Sequence, residues 1–203
     1  MTTMNPFIEQ DIQSLEDDYT RFPEQMRRET LEFIAETDDF EIALRNIAIR
    51  ELTIRKSGIQ IYAIMASDVT EDESLQQYAS DVPTKGTPAF AYTVGAERVG
   101  LPELISFYPS HPTNHWVLNR LYQMMLDMKL DLPTEPGEVK TIDGVLEDLP
   151  LKVELLDEAK RKWSYEECTC QVDSEDTPVL HVMMPTPQGV WLDSFIPNEM
   201  KAN

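Results

Sequence analysis

The chain has 203 residues, of which 41% are hydrophobic, and it carries 37 Asp and Glu against 17 Lys and Arg, a formal charge of −20. This length and apolar content suffice for a folded core and exclude a chain that is disordered throughout. Such a charge repels phosphate backbones and anionic lipids, so we expect no direct binding to nucleic acid or to membranes. A basic protein surface is the partner that the charge favours.

Residues 1–57 predict three amphipathic helices, because apolar side chains recur there at spacings of three and four. The first begins at Asn5 and Pro6, the second follows Pro23, and the third begins near Asp38 and ends at Gly58. Asp38 with Glu41 has the spacing of a capping box. We interpret these helices as an N-terminal extension that packs on the rest of the chain or forms a homodimer surface, and both alternatives stay open.

The beginning of the chain has neither the basic region nor the apolar core of a signal peptide. No apolar run approaches the roughly 20 residues that span a bilayer. The two cysteines, Cys168 and Cys170, are too few and too close for a disulfide framework. These observations predict a cytoplasmic protein.

Residues 58–203 predict an α+β domain. Runs rich in β-branched and aromatic residues alternate with helical patterns, and short connections join them. We expect strands at residues 59–65, 90–94, 104–108, 138–142, 149–155 and 178–184. We expect helices after Thr70, after Thr113 and over residues 157–167. This order favours a mostly antiparallel sheet flanked by helices.

An acidic run, Glu71, Asp72 and Glu73, follows Thr70 at the start of a predicted helix. Carboxylates in a first helical turn are stabilised by the helix dipole, so good capping explains the run. The same run also offers a landing place for a basic partner, and we include its three residues among the candidate binding residues.

The segment at residues 88–104 predicts a strand, a glycine turn and a proline-bounded loop. Aromatic and branched side chains alternate with small ones from Phe90 to Val94, the pattern of a half-buried strand. Gly95 and Gly100 permit a positive φ. The loop can gather Thr93, Glu97, Arg98 and Glu103, either as solvent-facing charges on a connection or as part of a binding site.

A candidate cleft combines that loop with the helix that follows it. An aromatic wall with a few polar groups suits a small ligand, and the residues that fit are Tyr92, Thr93, Glu103, His115 and Trp116. Glu103 or His115 would be the acid–base group, and Tyr92 or Thr93 would orient the ligand. The alternative is that Tyr92 and Trp116 are aromatic residues of the core.

No metal or cofactor site is predicted. His111 and His115 are four residues apart, but Pro112 lies between them and argues against one helical face that carries both. Cys168 and Cys170 have no second cysteine pair with zinc-ligand spacing. Neither cysteine lies at a helix start or a glycine elbow that would activate it, and no phosphate-binding glycine loop is present.

Residues 90–95 read F-A-Y-T-V-G, and residues 102–104 read P-E-L. These runs resemble the core of a bacterial domain of unknown function, F-A-Y-T-V-G-L followed by H-P-E-L, with Ala96 in place of the leucine and Leu101 in place of the histidine. The end of the chain, from Pro185 to Trp191, is similar to the family's P-D-x-x-G turn without the aspartate. The resemblance covers about residues 57–197, and it implies a fold relationship and no catalytic residues.

The sequence therefore favours a non-enzymatic acidic protein that occupies a basic surface of a partner protein, in the manner of an inhibitor or a nucleic-acid mimic. The alternative is a small-molecule hydrolase or a ligand sensor that uses the cleft near Tyr92, Glu103 and His115.

Overall fold

The structure is a computed structural model of the chain. This structure describes residues 12, 26–38, 40–64, 90–108, 110–127, 130–167, 176–185 and 191. The chain divides into two compact units, Met1–Gln60 and Ile61–Asn203. The acidic run at residues 71–73, both cysteines and most of the first predicted helix lie outside the described residues.

The N-terminal unit contains two described helices, α1 (Arg28–Glu36) and α2 (Ile42–Ser57). They share one apolar cluster of buried side chains: Met26, Leu31, Ile34, Leu44 and Ala48. Gly58 ends α2 at φ 87°, and its N–H donates to the carbonyl oxygen of Ile54 at 2.7 Å. The predicted capping box is wrong, because Glu41 caps α2 without a side-chain bond and Asp38 instead pairs with Arg45 at 2.9 Å.

The second unit is built on a sheet whose described strands are β1 (Gln60–Ile64), β2 (Phe90–Val94), β3 (Glu103–Ser106), β4 (Val139–Ile142), β5 (Leu151–Leu155) and β6 (Val179–Met183). Their spatial order is β1-β2-β3-β6-β5-β4. β3 pairs with β6 in parallel, whereas the pairs β2–β3, β5–β6 and β4–β5 are antiparallel. The predicted α+β class with a mostly antiparallel sheet is confirmed.

Two described helices accompany this sheet, α3 (His111–Leu126) and α4 (Glu158–Glu167). α3 packs on β2 and β3 through a buried face formed by Asn114, Val117, Leu118, Leu121, Tyr122 and Met125. The prediction that Pro112 keeps His111 and His115 off one helical face is wrong. Proline lies in the first turn, where its missing N–H has no intrahelical partner to lose, so His111 and His115 belong to the same helix.

Burial departs from the predicted patterns at three places. All five residues of β2 are buried, so the half-buried alternation is wrong for this strand, which lies between two neighbours in the sheet. Apolar and polar residues alternate along β5 and predict a buried Leu155 and an exposed Glu154, but Glu154 is buried and Leu155 is only partly buried. Trp116 is 51% exposed and therefore is not a core residue, whereas Tyr92 is 3% exposed and is one.

In the part of the chain that the structure describes, no helix is long and apolar enough to cross a membrane.

Candidate functional site

The loop between β2 and β3 is set by two glycines. Gly95 has a φ of 110° and Gly100 a φ of 76°, values that glycine adopts at little cost. Between them residues Ala96–Val99 form one turn of 3₁₀ helix, closed by the Gly100 N–H, which donates to the Glu97 carbonyl oxygen at 2.8 Å. The predicted positive-φ glycines are present, and they return the chain so that β3 lies antiparallel to β2.

Glu103 is the first residue of β3, and its side chain, which is bonded to this loop, is buried, with the residue 2% exposed. Its Oε2 accepts a hydrogen bond from the Thr93 hydroxyl at 2.5 Å. Its Oε1 accepts from the Gly95 N–H at 2.7 Å and from the Glu97 N–H at 3.3 Å. The expectation of solvent-facing charge is therefore wrong for Glu103, because the carboxylate satisfies the backbone donors at the start of the 3₁₀ turn.

The neighbours of Glu103 are bonded in turn. The Thr93 hydroxyl accepts from the Leu104 N–H at 2.8 Å, so it bridges the side chain and the backbone of β3. The Thr177 hydroxyl donates to the Glu97 carboxylate, which ties the loop to the segment that enters β6. The half-buried Arg98 lies in the same 3₁₀ turn. We call the contacts among Thr93, Gly95, Glu97 and Glu103 the Glu103 cluster.

Burial raises the pKa of Glu103 above its ordinary value, and the hydrogen bonds from Thr93 and from the backbone of Glu97 and Gly95 oppose that rise. Burial also raises the pKa of Tyr122, and the negative charge of Glu103 adds to this effect. Both oxygens of the Glu103 carboxylate are engaged within the protein. This geometry favours a structural role for Glu103, since an acid–base catalyst needs an oxygen that reaches substrate.

Of the five residues of the predicted cleft, the structure brings Thr93 and Glu103 into contact and places Tyr92 in the core. The Tyr92 ring stacks on Tyr62, with ring centroids 5.4 Å apart. His115 and Trp116 lie on the exposed face of α3. Among the described residues, no three His, Cys, Asp or Glu side chains lie close enough together to hold a metal ion.

Sequence patterns missed a second buried polar cluster, which joins β5, β6 and α4. Glu154 and His181 are directly opposite each other in the ladder, and Nδ1 of His181 lies 3.8 Å from Oε2 of Glu154. Lys160 donates from Nζ to Oε1 of Glu154 at 2.5 Å. His181 and Lys160 lower the pKa of Glu154, and His181 has the larger effect. No local pattern reveals this cluster, since Glu154 and His181 meet only through strand pairing.

A pocket of about 290 Å³ lies at the other end of β3 and β6. Its walls come from the segment that joins β3 to α3, the loop before β5 and the end of β6. The lining residues are Tyr108, Thr113, Leu146, Glu147, Asp148, Leu149, Met184 and Pro185. One wall is fixed by Asn114, whose side-chain amide donates to the Tyr108 carbonyl oxygen at 2.6 Å. We call this space the Tyr108 pocket.

The Tyr108 pocket borders a strongly acidic stretch of chain. Residues 131–148 carry six carboxylates and one cation, Lys140. Five of the six acidic residues are exposed, namely Asp131, Glu135, Asp143, Glu147 and Asp148. Lys140 is already paired with Asp131 at 2.5 Å and with Glu138 at 3.6 Å. We call residues 131–148 the acidic segment, and it includes β4, one of the two edge strands of the sheet formed by the described strands.

Comparison with known proteins assigns the larger part of the chain to a family. The domain of unknown function DUF4262 matches residues 53–194, and the chain therefore belongs to this family. The predicted resemblance to an uncharacterised domain over the C-terminal two-thirds of the chain is confirmed. No curated protein and no solved structure matched the chain in the same comparison.

Proposed function

We propose that this member of the DUF4262 family is a non-enzymatic binding protein that occupies a basic surface of a partner protein, as an inhibitor or a nucleic-acid mimic would, in the cytoplasm. The observation that carries the proposal is the acidic segment: six carboxylates in eighteen residues, most of them exposed, with their one cation already paired.

The negative charge extends over both units in proportion to their length. The unit Ile61–Asn203 contains 24 Asp and Glu against 10 Lys and Arg, so it carries −14 of the total charge of −20. A negative field attracts a basic partner over long distances and accelerates its association. The field also repels nucleic acid and anionic lipid, consistent with a protein partner.

The geometry supports binding over catalysis. The hydrolase alternative needs Glu103 or His115 as an acid–base group in a shared cleft. Glu103 is buried with both carboxylate oxygens bonded inside the protein, and His115 lies on the exposed face of α3. A ligand sensor that uses Tyr92 meets the same difficulty, because that ring is buried against Tyr62.

Salt-dependent binding to a basic probe tests the proposal. We expect a lysine octapeptide to bind the full chain at low ionic strength, and its affinity to fall steeply as salt screens the attraction. A glutamate octapeptide should not bind. Isothermal titration calorimetry at several salt concentrations measures both. Absence of lysine-peptide binding at low salt would refute the proposal.

A matched pair of variants locates the binding surface. The first neutralises three exposed carboxylates of the acidic segment by E135Q, D143N and D148N. The control neutralises three exposed carboxylates of the N-terminal unit by E29Q, E36Q and E41Q. Both variants change the net charge equally. We expect the first to weaken binding roughly tenfold at low salt, since each exposed pair contributes about 0.2–1 kcal/mol. Equal weakening by the control would show that only net charge matters.

The second acidic run, at Glu71, Asp72 and Glu73, is tested in the same way. Reversal of these three charges should weaken the lysine peptide's binding and flatten its dependence on salt. Unchanged affinity and unchanged salt dependence would remove this run from the binding surface and leave the acidic segment as its location.

A further inference from the structure

We propose that the Tyr108 pocket receives one lysine or arginine side chain of the basic partner. This inference rests on the proposed function and deepens it, because it names the group that the partner inserts. A flat acidic surface attracts any cation. A pocket also selects a basic side chain by the length of the methylene chain that carries its charged group.

The lining of the pocket has the two chemical features of a long basic side chain. Leu146, Leu149, Met184 and Pro185 supply an apolar wall that can cover methylene groups, and Glu147 and Asp148 supply carboxylates that can accept hydrogen bonds from the charged head. Tyr108 is also a lining residue, and the face of an aromatic ring attracts a cation.

The two carboxylates are available for such a ligand. Glu147 and Asp148 are exposed, and neither has an ion-pair partner within 4.0 Å in the part of the chain that the structure describes. In contrast, Asp131 and Glu138 of the same acidic segment are held by Lys140. The unpaired carboxylates of the segment thus include the two that line the pocket.

The volume fits a single side chain. The pocket volume of about 290 Å³ is just below the range for small-molecule sites, which extends from about 300 to about 1,000 Å³. It is therefore small for a nucleotide-sized or drug-sized ligand, and it is sufficient for one lysine or arginine side chain with accompanying water. The walls come from loop residues 146–149, from residues that follow β3 and β6, and from the first turn of α3, whose Asn114 bonds to Tyr108.

The test compares how tightly two basic octapeptides bind the full chain, by calorimetry at low salt. The peptides have equal charge, but their side chains differ in the number of methylene groups. Lysine has one methylene group more than ornithine. We expect the lysine octapeptide to bind about fourfold more tightly, the factor that corresponds to burial of one methylene group. Equal affinities of the two peptides would overturn the pocket and leave a flat acidic surface.

Two double variants of equal charge give an independent measure. E147Q with D148N removes the carboxylates of the pocket, and E135Q with D143N removes two exposed carboxylates of the acidic segment outside it. We expect the pocket pair to weaken lysine-peptide binding about tenfold more than the control pair and to abolish the preference for lysine over ornithine. Equal effects of the two pairs would overturn the inference while the proposed function stands.

Two other results would refute either the proposed function or the assignment of the pocket to a partner's side chain. If no basic peptide binds the unmodified chain at low salt, the proposed function itself fails. If the free amine Nα-acetyl-lysinamide binds the pocket more tightly than the lysine octapeptide, the pocket serves a small amine and not a partner's side chain, and the inference is overturned. Near-ultraviolet circular dichroism of each variant confirms that it is folded.

Discussion

The hydrogen bond between Thr93 and Glu103 offers the sharpest test of how the family motif acts. We consider Thr93→Val, Glu103→Gln and the double variant. Thr93→Val keeps the shape of the side chain, but it removes the donor to Glu103 and the acceptor of the Leu104 N–H. The Thr93 hydroxyl and the Leu104 N–H both lie in the core, since each of these residues is 0% exposed.

The magnitude follows from these contacts. A hydrogen bond to a charged acceptor contributes about 1.5–3 kcal/mol, and a buried N–H without a partner costs about 1–3 kcal/mol. We therefore expect Thr93→Val to lower the free energy of unfolding by about 3 kcal/mol, a large part of the 5–15 kcal/mol typical of a domain. Glu103→Gln should cost only about 1 kcal/mol, because the lost hydrogen bond is partly offset by removal of a buried charge.

Urea unfolding followed by tryptophan fluorescence measures these values. All three tryptophans, at positions 116, 163 and 191, belong to the unit Ile61–Asn203, so the probe reports that unit. The double variant should lose about 1.5 kcal/mol less than the sum of the single variants, because the two residues share one bond. Glu135→Gln, at an exposed carboxylate, is the control and should change stability by less than about 0.5 kcal/mol. Additive effects of the two variants would refute a direct bond between them.

Three further predictions concern titration, backbone strain and packing. The pKa of Glu103 is raised above 4.5 in the folded state, so its contribution to stability is lost as the pH rises from that value through the folded pKa, and Glu103→Gln should remove this loss. The pKa of Glu154 is lowered, so its contribution to stability is lost as the pH falls through the folded pKa, and Glu154→Gln should remove that loss. Urea unfolding of each variant across the pH range measures both effects. Gly100→Ala should cost about 1–2 kcal/mol through its φ of +76° alone, since an added Cβ would meet no atom within 4 Å; unchanged unfolding midpoints would contradict this geometry. Leu121→Ala, in the core, should lose about 2–5 kcal/mol, whereas Trp116→Ala, at a half-exposed side chain, should lose less than Leu121→Ala. Equal losses in thermal and urea unfolding would contradict the assigned burial.

The strands and helices could be predicted from local patterns because each depends on neighbouring residues. Apolar spacing gave α1 and the buried face of α3, and Gly58 ended α2 as the pattern indicated. The run F-A-Y-T-V-G gave β2, its glycine turn and the family resemblance together. Periodicity describes one element at a time, and these features are properties of one element.

The position of polar side chains depended on the tertiary structure. The sequence leaves Glu103 either exposed on a connection or in a binding cleft. The pairing of β2 with β3 instead brings Thr93 and the 3₁₀ turn around its buried carboxylate. Glu154 follows the polar side of an alternating strand, yet pairing with β6 sets it against His181.

Composition alone determined the charge of −20 and the scarcity of cysteine, and the order of helical and strand patterns along the chain indicated the α+β class. Only the tertiary structure decided which carboxylates are buried as internal acceptors and which remain exposed beside the Tyr108 pocket. The physical reason is that burial and charge pairing depend on residues that are distant along the chain. Tyr108, Glu147 and Met184, for example, line one pocket only in the folded sheet.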